Sequence, residues 1–235
     1  MKRRNKVKSE TVTVSINTPR ILIAIPCMDM VPTTFMTSLI NLQKTSDTHY
    51  AVHANSMIYD SRNTFAANAI TGGYDRVLWL DSDMVFDHDM LIRLNADMDE
   101  HGLDFVSGIF FKRHMPTGPC IYRDLIYGAN DDGSVKAEAI PYTDYPRDAL
   151  FETKGAGFGA VLMTTDLLKA VWEAYGPPFQ PRVQKGEDLS FCWRVTQIGR
   201  KMWCDSRVKV GHSGQHVFGE ETWDKQQTER PHQNE

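Results

Sequence analysis

The chain has 235 residues, of which 41% are hydrophobic and 24% charged. That length and mix suit one α/β domain and leave little room for a second. A net charge of −4 argues against a body built to hold polyanions.

Residues 1–18 read as a basic tail, and Met1 to Lys8 carry most of the charge. Such a stretch is either solvated or an electrostatic attachment to nucleic acid or an anionic membrane. The folded domain is expected over residues 19–222. Arg20 to Pro26 reads as a buried strand stopped by proline. Thr33 to Lys44 reads as a helix, with Phe35, Leu39 and Leu42 at helical spacing. Tyr50 to His53 is a weaker strand. Ser61 to Ile70 reads as a helix stopped by Gly72 and Gly73. Arg76 to Asp81 is a strand, and Asp87 to His101 an amphipathic helix ended by Gly102. Asp104 to Phe110 is the next strand, and Ala160 to Met163 a strand-like run. Gly186 opens a helix reaching Ile198, with Leu189, Cys192, Trp193 and Thr196 as its inward stripe. Arg207 to Gly214 is a late strand that ends in His212. Residues 223–235 read as a polar tail. This alternation predicts a mainly parallel sheet flanked by helices in a single α/β domain. Ligands of such sheets sit beyond the carboxyl ends of the strands.

The four cysteines form no C-x-x-C pair, so they read as free thiols in a reducing compartment. The apolar runs are too short to span a bilayer, and the basic start lacks the apolar region of a signal peptide. A cytoplasmic protein without stable membrane insertion is expected.

The segment Val77-Leu-Trp-Leu-Asp81-Ser82-Asp83 carries the clearest chemistry. An apolar strand delivers two carboxylates at its carboxyl end. Residues i and i+2 of an extended chain share a face, so the two acids converge. A hard divalent cation relieves their repulsion and leaves positions open for other oxygens, such as those of a diphosphate. Mg²⁺ or Mn²⁺ suits such ligands. The plainer alternative makes Asp81 a turn cap and Asp83 a solvated charge.

Three segments together resemble a known group. Ile-Ala-Ile-Pro26, Ser61-Arg62-Asn63 and Leu-Trp-Leu-Asp81-Ser82-Asp83 are similar to the nucleotide-sugar half of glycosyltransferases of the Rossmann-like GT-A fold, especially the group holding the family-2 enzymes. The resemblance extends over residues 20 to 215. It implies a nucleoside diphosphate sugar donor, a hydroxyl-bearing acceptor and Mn²⁺ or Mg²⁺. It assigns Asp83 to the metal, Asp81 to the metal or ribose, and Arg62 to the base or phosphates, with Pro26 and Ser82 beside them. Without it, Arg62 is a surface ion pair.

The second half continues the resemblance. Lys154-Gly-Ala-Gly157-Phe158-Gly-Ala160 lacks the G-x-G-x-x-G spacing and precedes a strand, which argues against a dinucleotide fingerprint. Its glycines either permit close backbone approach to a ligand or make a flexible turn. The family places such a segment, here Gly157 and Phe158, beside the donor sugar and acceptor. Glu187 and Asp188 open a helix, where acids cap and complement its dipole. By resemblance, Asp188 is the base that deprotonates the acceptor in an inverting reaction, or a stabiliser in a retaining one. Glu187 orients the acceptor or partners a cation. His212 matches the histidine that completes the metal site; otherwise it is structural. Lys112 and Arg113 meet either a phosphate or an acidic acceptor, or are solvated. Trp172, Trp193 and Trp203 read as core rather than sugar platforms.

The chain departs from the group at Cys27-Met28-Asp29, which leaves the nucleotide base open. Three rivals remain. A nucleotidyltransferase wants a glycine-rich basic loop after the first strand, which Cys27 to Pro32 is not. A non-catalytic nucleotide-sugar binding module keeps the fold without turnover. A transferase acting on a modified nucleic-acid base rests on the basic tail alone.

Overall fold

The computed structural model of the chain describes residues 18–130, 132–214 and 217–229. Its elements, in order, are β1 (Ile21–Cys27), α1 (Thr33–Asn41), β2 (Thr48–Ala54), α2 (Ile58–Thr71), β3 (Arg76–Leu80), β4 (Met84–Phe86), α3 (Met90–His101), β5 (Phe105–Ile109), β6 (Ile121–Ala129), β7 (Val135–Pro141), β8 (Leu150–Thr153), β9 (Gly155–Ala156), β10 (Ala160–Thr164), α4 (Thr165–Tyr175), α5 (Glu187–Gln197), β11 (Met202–Ser213), β12 (Val217–Phe218) and α6 (Glu220–Glu229).

The main sheet runs in the order β12-β11-β5-β10-β3-β1-β2, with β4 and β8 also paired to β11. Strands β2, β1, β3, β5 and β11 point one way, and β10 runs against β3 and β5. The sheet is therefore mostly parallel, as the strand–helix alternation predicts. A smaller sheet, β7-β6-β9, stands beside it.

The central strands are apolar throughout because both faces are covered. Alternate residues divide between two cores. Leu22, Ala24, Val77 and Trp79 face one, together with residues of α2, α4 and α5. Ile21, Ile23, Ile25, Leu78 and Leu80 face the other, under α1 and α3. The period of two in β1 and β3 thus fixes which side each helix covers. Gly102 ends α3 at φ 63°, a left-handed conformation that glycine adopts without strain.

Several sequence expectations need correction. Helix α2 starts at Ile58, not Ser61, which puts Arg62 in its second turn and away from the terminal amides. Residues 223–229 are not a tail. They continue α6, whose Trp223 is buried and whose Gln226 exchanges two hydrogen bonds with the Thr117 backbone. Glu220 anchors the helix start by accepting from Lys209 (2.6 Å), Tyr145 and Arg147. The inward face of α5 is built from Leu189, Phe191, Cys192 and Val195; Trp193 and Thr196 lie only partly buried. The expected tail at residues 1–18 lies almost wholly outside the described residues.

Candidate functional site

A cleft of about 970 Å³ opens at the carboxyl ends of the parallel strands. Pro26, Cys27 and Met28 reach it from β1, Asn55 to Ile58 from the end of β2, and Asp81 to Asp83 from β3. Arg113 follows β5, and Glu187 and Asp188 come from the first turn of α5. His212 comes from β11. The strand-end rule therefore locates the site.

Arg62 is its buried centre. The guanidinium donates to Asp81 Oδ1 at 2.6 Å and to Glu187 Oε1 at 2.5 Å. Its planar fork allows both contacts at once. Below it, Phe158 presents its ring 5.1 Å from the guanidinium carbon. Phe158 packs in turn on Trp79, Phe179 and Phe191. Burial alone would disfavour the Arg62 charge, but Asp81, Glu187 and Asp188 outweigh it and hold the pKa above the ordinary arginine value. Burial pushes the Asp81 carboxyl up, against the attraction of Arg62 and with help from the Asp83 charge. Asn63, the next residue of α2, accepts the Phe179 N–H at 2.9 Å and so ties the loop before α5 to the same helix.

Asp83 and His212 meet through strand pairing. Strand β4 runs antiparallel to the end of β11, with Met84 opposite His212. The Ser213 N–H donates to the Asp83 carbonyl at 2.8 Å. The two side chains then approach to 3.2 Å, His212 Nε2 to Asp83 Oδ2. The other ring nitrogen, Nδ1, lies 2.9 Å from the Phe111 carbonyl. That oxygen only accepts, so Nδ1 carries a proton. A proton on Nε2 would be donated to Asp83; without one, that nitrogen offers its lone pair at the same place. Arg113 donates to the same Asp83 oxygen at 2.6 Å from a largely exposed side chain.

Asp188 stands apart from these pairs. Its Oδ1 accepts the Leu189 N–H at 2.7 Å, and Oδ2 has no protein hydrogen bond among the described residues. Gly186 leaves room for this rotamer, since a Cβ there would come within 2.9 Å of Asp188 Oδ1. Burial, reinforced by the Glu187 charge, pushes its pKa up to about 6. The plain role of an acidic first turn is only partly filled: the N-cap Gly186 has no side-chain cap, and Glu187 serves Arg62.

The structure thus gathers Pro26, Arg62, Asp81, Ser82, Asp83, Glu187, Asp188 and His212 around one cleft. It does not bring Gly157 and Phe158 into its lining. Phe158 is 1% exposed and supports Arg62 from beneath. Gly157 is packed beneath Phe110, whose Cζ would lie 2.8 Å from an added Cβ. Gly159 likewise admits Met84 and Phe110. The glycines permit close approach by core side chains and not by a ligand. Arg113, a candidate for a phosphate or an acidic acceptor, lines the cleft, and Asn55 to Ile58 are cleft residues that sequence reasoning did not assign. The signal of that segment was position, directly after β2.

Asp81, Asp83 and His212 do not form a ready three-ligand centre. Among the described residues, no three His, Cys, Asp or Glu side chains are gathered to hold a metal ion. Asp81 is turned to Arg62 instead. The pair Asp83 and His212 does fit a divalent cation, because a carboxylate oxygen and an imidazole nitrogen stand 3.2 Å apart with a backbone carbonyl orienting the ring. Hard cations at such sites take one or two protein ligands and complete their shell with phosphate oxygens and water. Charge agrees: Asp81, Asp83, Glu187 and Asp188 oppose Arg62 and Arg113, leaving two negative charges uncompensated.

All four cysteines are free thiols. No helix among the described residues is long and apolar enough to cross a membrane.

No protein-family model matches the chain, and no curated protein matches it. Solved structures do. One is the crystal structure of A197 from STIV, with a TM-score of 0.60 and 20% identity over 83% of this chain and 86% of that one. Another is GalNAc-T7 with UDP, GalNAc and Mn²⁺, with a TM-score of 0.54 and 12% identity over 83% of this chain. The chain spans 43% of that protein's length. Identities this low speak to architecture alone, and they give the chain a glycosyltransferase-like, GT-A-like fold.

Proposed function

We propose that the chain is a glycosyltransferase that moves a sugar from a nucleoside diphosphate sugar to an acceptor hydroxyl, with Mn²⁺ or Mg²⁺ as cofactor. One observation carries the reading: Asp83 and His212 face each other at 3.2 Å in the strand-end cleft that also holds Asp188. The fold shared with GalNAc-T7, a structure that contains UDP and Mn²⁺, supports it.

Asp83 and His212 would hold the cation, which would supply neutralisation of charge on the leaving diphosphate. Arg62 holds Asp81 and Glu187 in place and keeps the cleft floor rigid. Asp81, with Oδ1 engaged by Arg62, presents its remaining oxygen to the ribose or the cation. Pro26, Ser82 and the Asn55 to Ile58 segment wall the nucleotide side. Asp188 takes the proton of the attacking hydroxyl on its free Oδ2. A pKa near 6 suits that work, since the group is ionised at neutral pH yet is a better base than an ordinary carboxylate. This assignment makes the reaction inverting.

The same carboxylates favour a second reading. Asp81 and Asp83 each already pair with an arginine, so a module that binds nucleotide without turnover could hold the same arrangement with no metal. Incubation of the protein with a panel of nucleotide sugars and Mn²⁺ decides between them. Release of free sugar that disappears in Asp83→Ala supports the transferase. Nucleotide binding without any release supports the module. Release that persists unchanged in Asp83→Ala overturns the proposed site.

A further inference from the structure

Two carboxylates outside the cleft are buried against each other. Asp97 of α3 is 6% exposed and Asp205 of β11 is 1% exposed. Arg207 bridges them from a half-exposed side chain, donating to Asp97 Oδ1 at 2.9 Å and from Nε to Asp205 Oδ1 at 2.8 Å. One positive charge thus serves two negative ones. The Asp97 carboxyl also lies within hydrogen-bonding reach of the Asp205 carboxyl. Two ionised carboxylates have no proton to place between them, and Asp97 Oδ2 is buried with no hydrogen-bond donor among the described residues. One proton held between the two acids supplies what is missing.

The surrounding charges leave that need unmet. Burial, and then the Asp205 carboxyl, push Asp97 up to about 6, against the weaker pull of Arg207 and His101. Arg93 of α3 spends a donor on the Arg207 carbonyl. Strands β5 and β10, which pack on α3, carry no ionisable side chain. Glu152 of β8 is taken by Lys154 and Lys201, and Lys209 of β11 by Glu220. The Cys204 thiol beside Asp205 is pushed up to about 12 by burial and stays neutral.

Asp205 stands where β11 changes partners. Up to that residue the strand pairs with β5 and β8. Its register against β5 then shifts between Asp205 and Lys209. The Asp205 carboxylate spans the start of the shift, since its Oδ1 accepts the Arg207 N–H at 2.9 Å. Beyond the shift Val210, Gly211 and His212 pair with β4, which brings His212 beside Asp83.

We infer that Asp97 and Asp205 share one proton, and that this proton latches the register shift of β11 onto α3. With the proton in place the two carboxyls attract. Without it two buried like charges repel, and the segment from Ser206 to Lys209 opens more readily. The inference is independent of the transfer reading. It puts the strand that carries His212 under the control of pH. A carboxyl that holds its proton more tightly in the closed segment than in the open one favours closure in acid. That advantage is complete below about pH 4 and is lost as pH rises through 6.

Amide hydrogen exchange of the full chain, corrected for the intrinsic effect of pH on exchange, tests the latch over Ser206 to Lys209. Protection there should fall about tenfold between pH 5 and pH 8, the linkage expected for a carboxyl moved from about 4 to about 6. Asp97→Asn places a permanent donor beside Asp205 and keeps an acceptor for Arg207. Its protection should stay flat over the same range, at the level of the native chain at pH 5. Asp205→Asn repeats the test from the other partner and should also be flat. Thermal denaturation checks that both variants fold. Equal protection at pH 5 and pH 8 in the native chain overturns the latch, whatever the variants do. A tenfold fall that persists in a folded variant belongs to some other group, Asp188 included, and overturns it too.

Discussion

Arg62 and Glu187 are 125 residues apart in the chain and 2.5 Å apart in the fold. The pair joins α2, on the proposed nucleotide side, to the first turn of α5, which carries the proposed base. Asp81 shares the same guanidinium. Three elements that converge on the cleft are thus fastened through one buried cation. A buried ion pair is weak evidence of net stability, because desolvation offsets attraction. Its value here is registration: Asp188 is held where it is because its neighbour cannot move.

The asymmetry of that arrangement gives the first prediction. Arg62→Ala leaves Asp81 and Glu187, both partly buried, without the counter-charge they share. Loss of one partner of a buried pair costs about 3–5 kcal/mol. Urea denaturation should show a loss of that size. A substitution that removes less than 1 kcal/mol, on the order of an exposed pair, would return Arg62 to the surface role.

The second prediction concerns pH. The Asp188 pKa is raised in the folded chain to about 6, against about 4 for a free aspartate. As a base it must be ionised, so turnover should fall as pH drops through 6. Asp188→Asn should lower turnover by about 10²–10⁴-fold and remove that acid limb. Stability runs the other way. A raised carboxyl pKa means that the folded state binds the proton more tightly, so this group's contribution is present below pH 4 and is lost as pH rises through 6. Asp188→Asn should therefore melt higher than the native chain at pH 8, and the gap should close near pH 4. An unchanged melting temperature at pH 8 would refute the burial of the charge.

Much of this site was legible in the sequence, for identifiable reasons. The runs Ile21 to Ile25 and Val77 to Leu80 are apolar on both faces, so they announced buried parallel strands. The pair Asp81 and Asp83 could then be placed by the strand-end rule. The sequence offers Glu187 either as an acceptor-orienting group or as a partner for a cation, and that Arg62 is its partner depends on long-range packing that spacing does not encode. Phe158 and Gly157 misled because a glycine-rich segment before a strand looks the same whether it approaches a ligand or Phe110. Helix α6 escaped because its stretch has few apolar residues. Trp223 and Gln226, one turn apart, bury its inner face, and polar anchors at Glu220 do the rest.

The third prediction tests that helix. Trp223 belongs to the main core and lies beside Phe111, with ring centres 6.3 Å apart. Trp223→Ala should cost about 3–5 kcal/mol, the range for deleting a buried large aromatic. Phe111 offers its carbonyl to His212, so the loss should also loosen the orientation of that ring. Divalent-ion affinity should then fall together with melting temperature. A variant that melts normally would mean that α6 is dispensable to the fold.

The fourth prediction follows from Arg113. Its NH1 shares Asp83 Oδ2 with His212 Nε2, so it stands where a cation held by those two residues would draw its charge balance. The guanidinium sits on a largely exposed side chain after β5 and is free to swing. Its pairing with Asp83 competes with a metal ion for one oxygen. An exposed pair contributes up to about 1 kcal/mol, which converts to roughly fivefold in an equilibrium constant. Arg113→Ala should therefore tighten Mn²⁺ binding to the nucleotide-free chain by up to about that factor. Once a diphosphate is present the sign should reverse, because a displaced guanidinium is a good phosphate partner and the variant lacks it. Calorimetric titration of Mn²⁺ with and without a nucleoside diphosphate measures both arms. Mn²⁺ affinity that is unchanged in the variant under both conditions would mean that Asp83 Oδ2 is not the oxygen the metal uses.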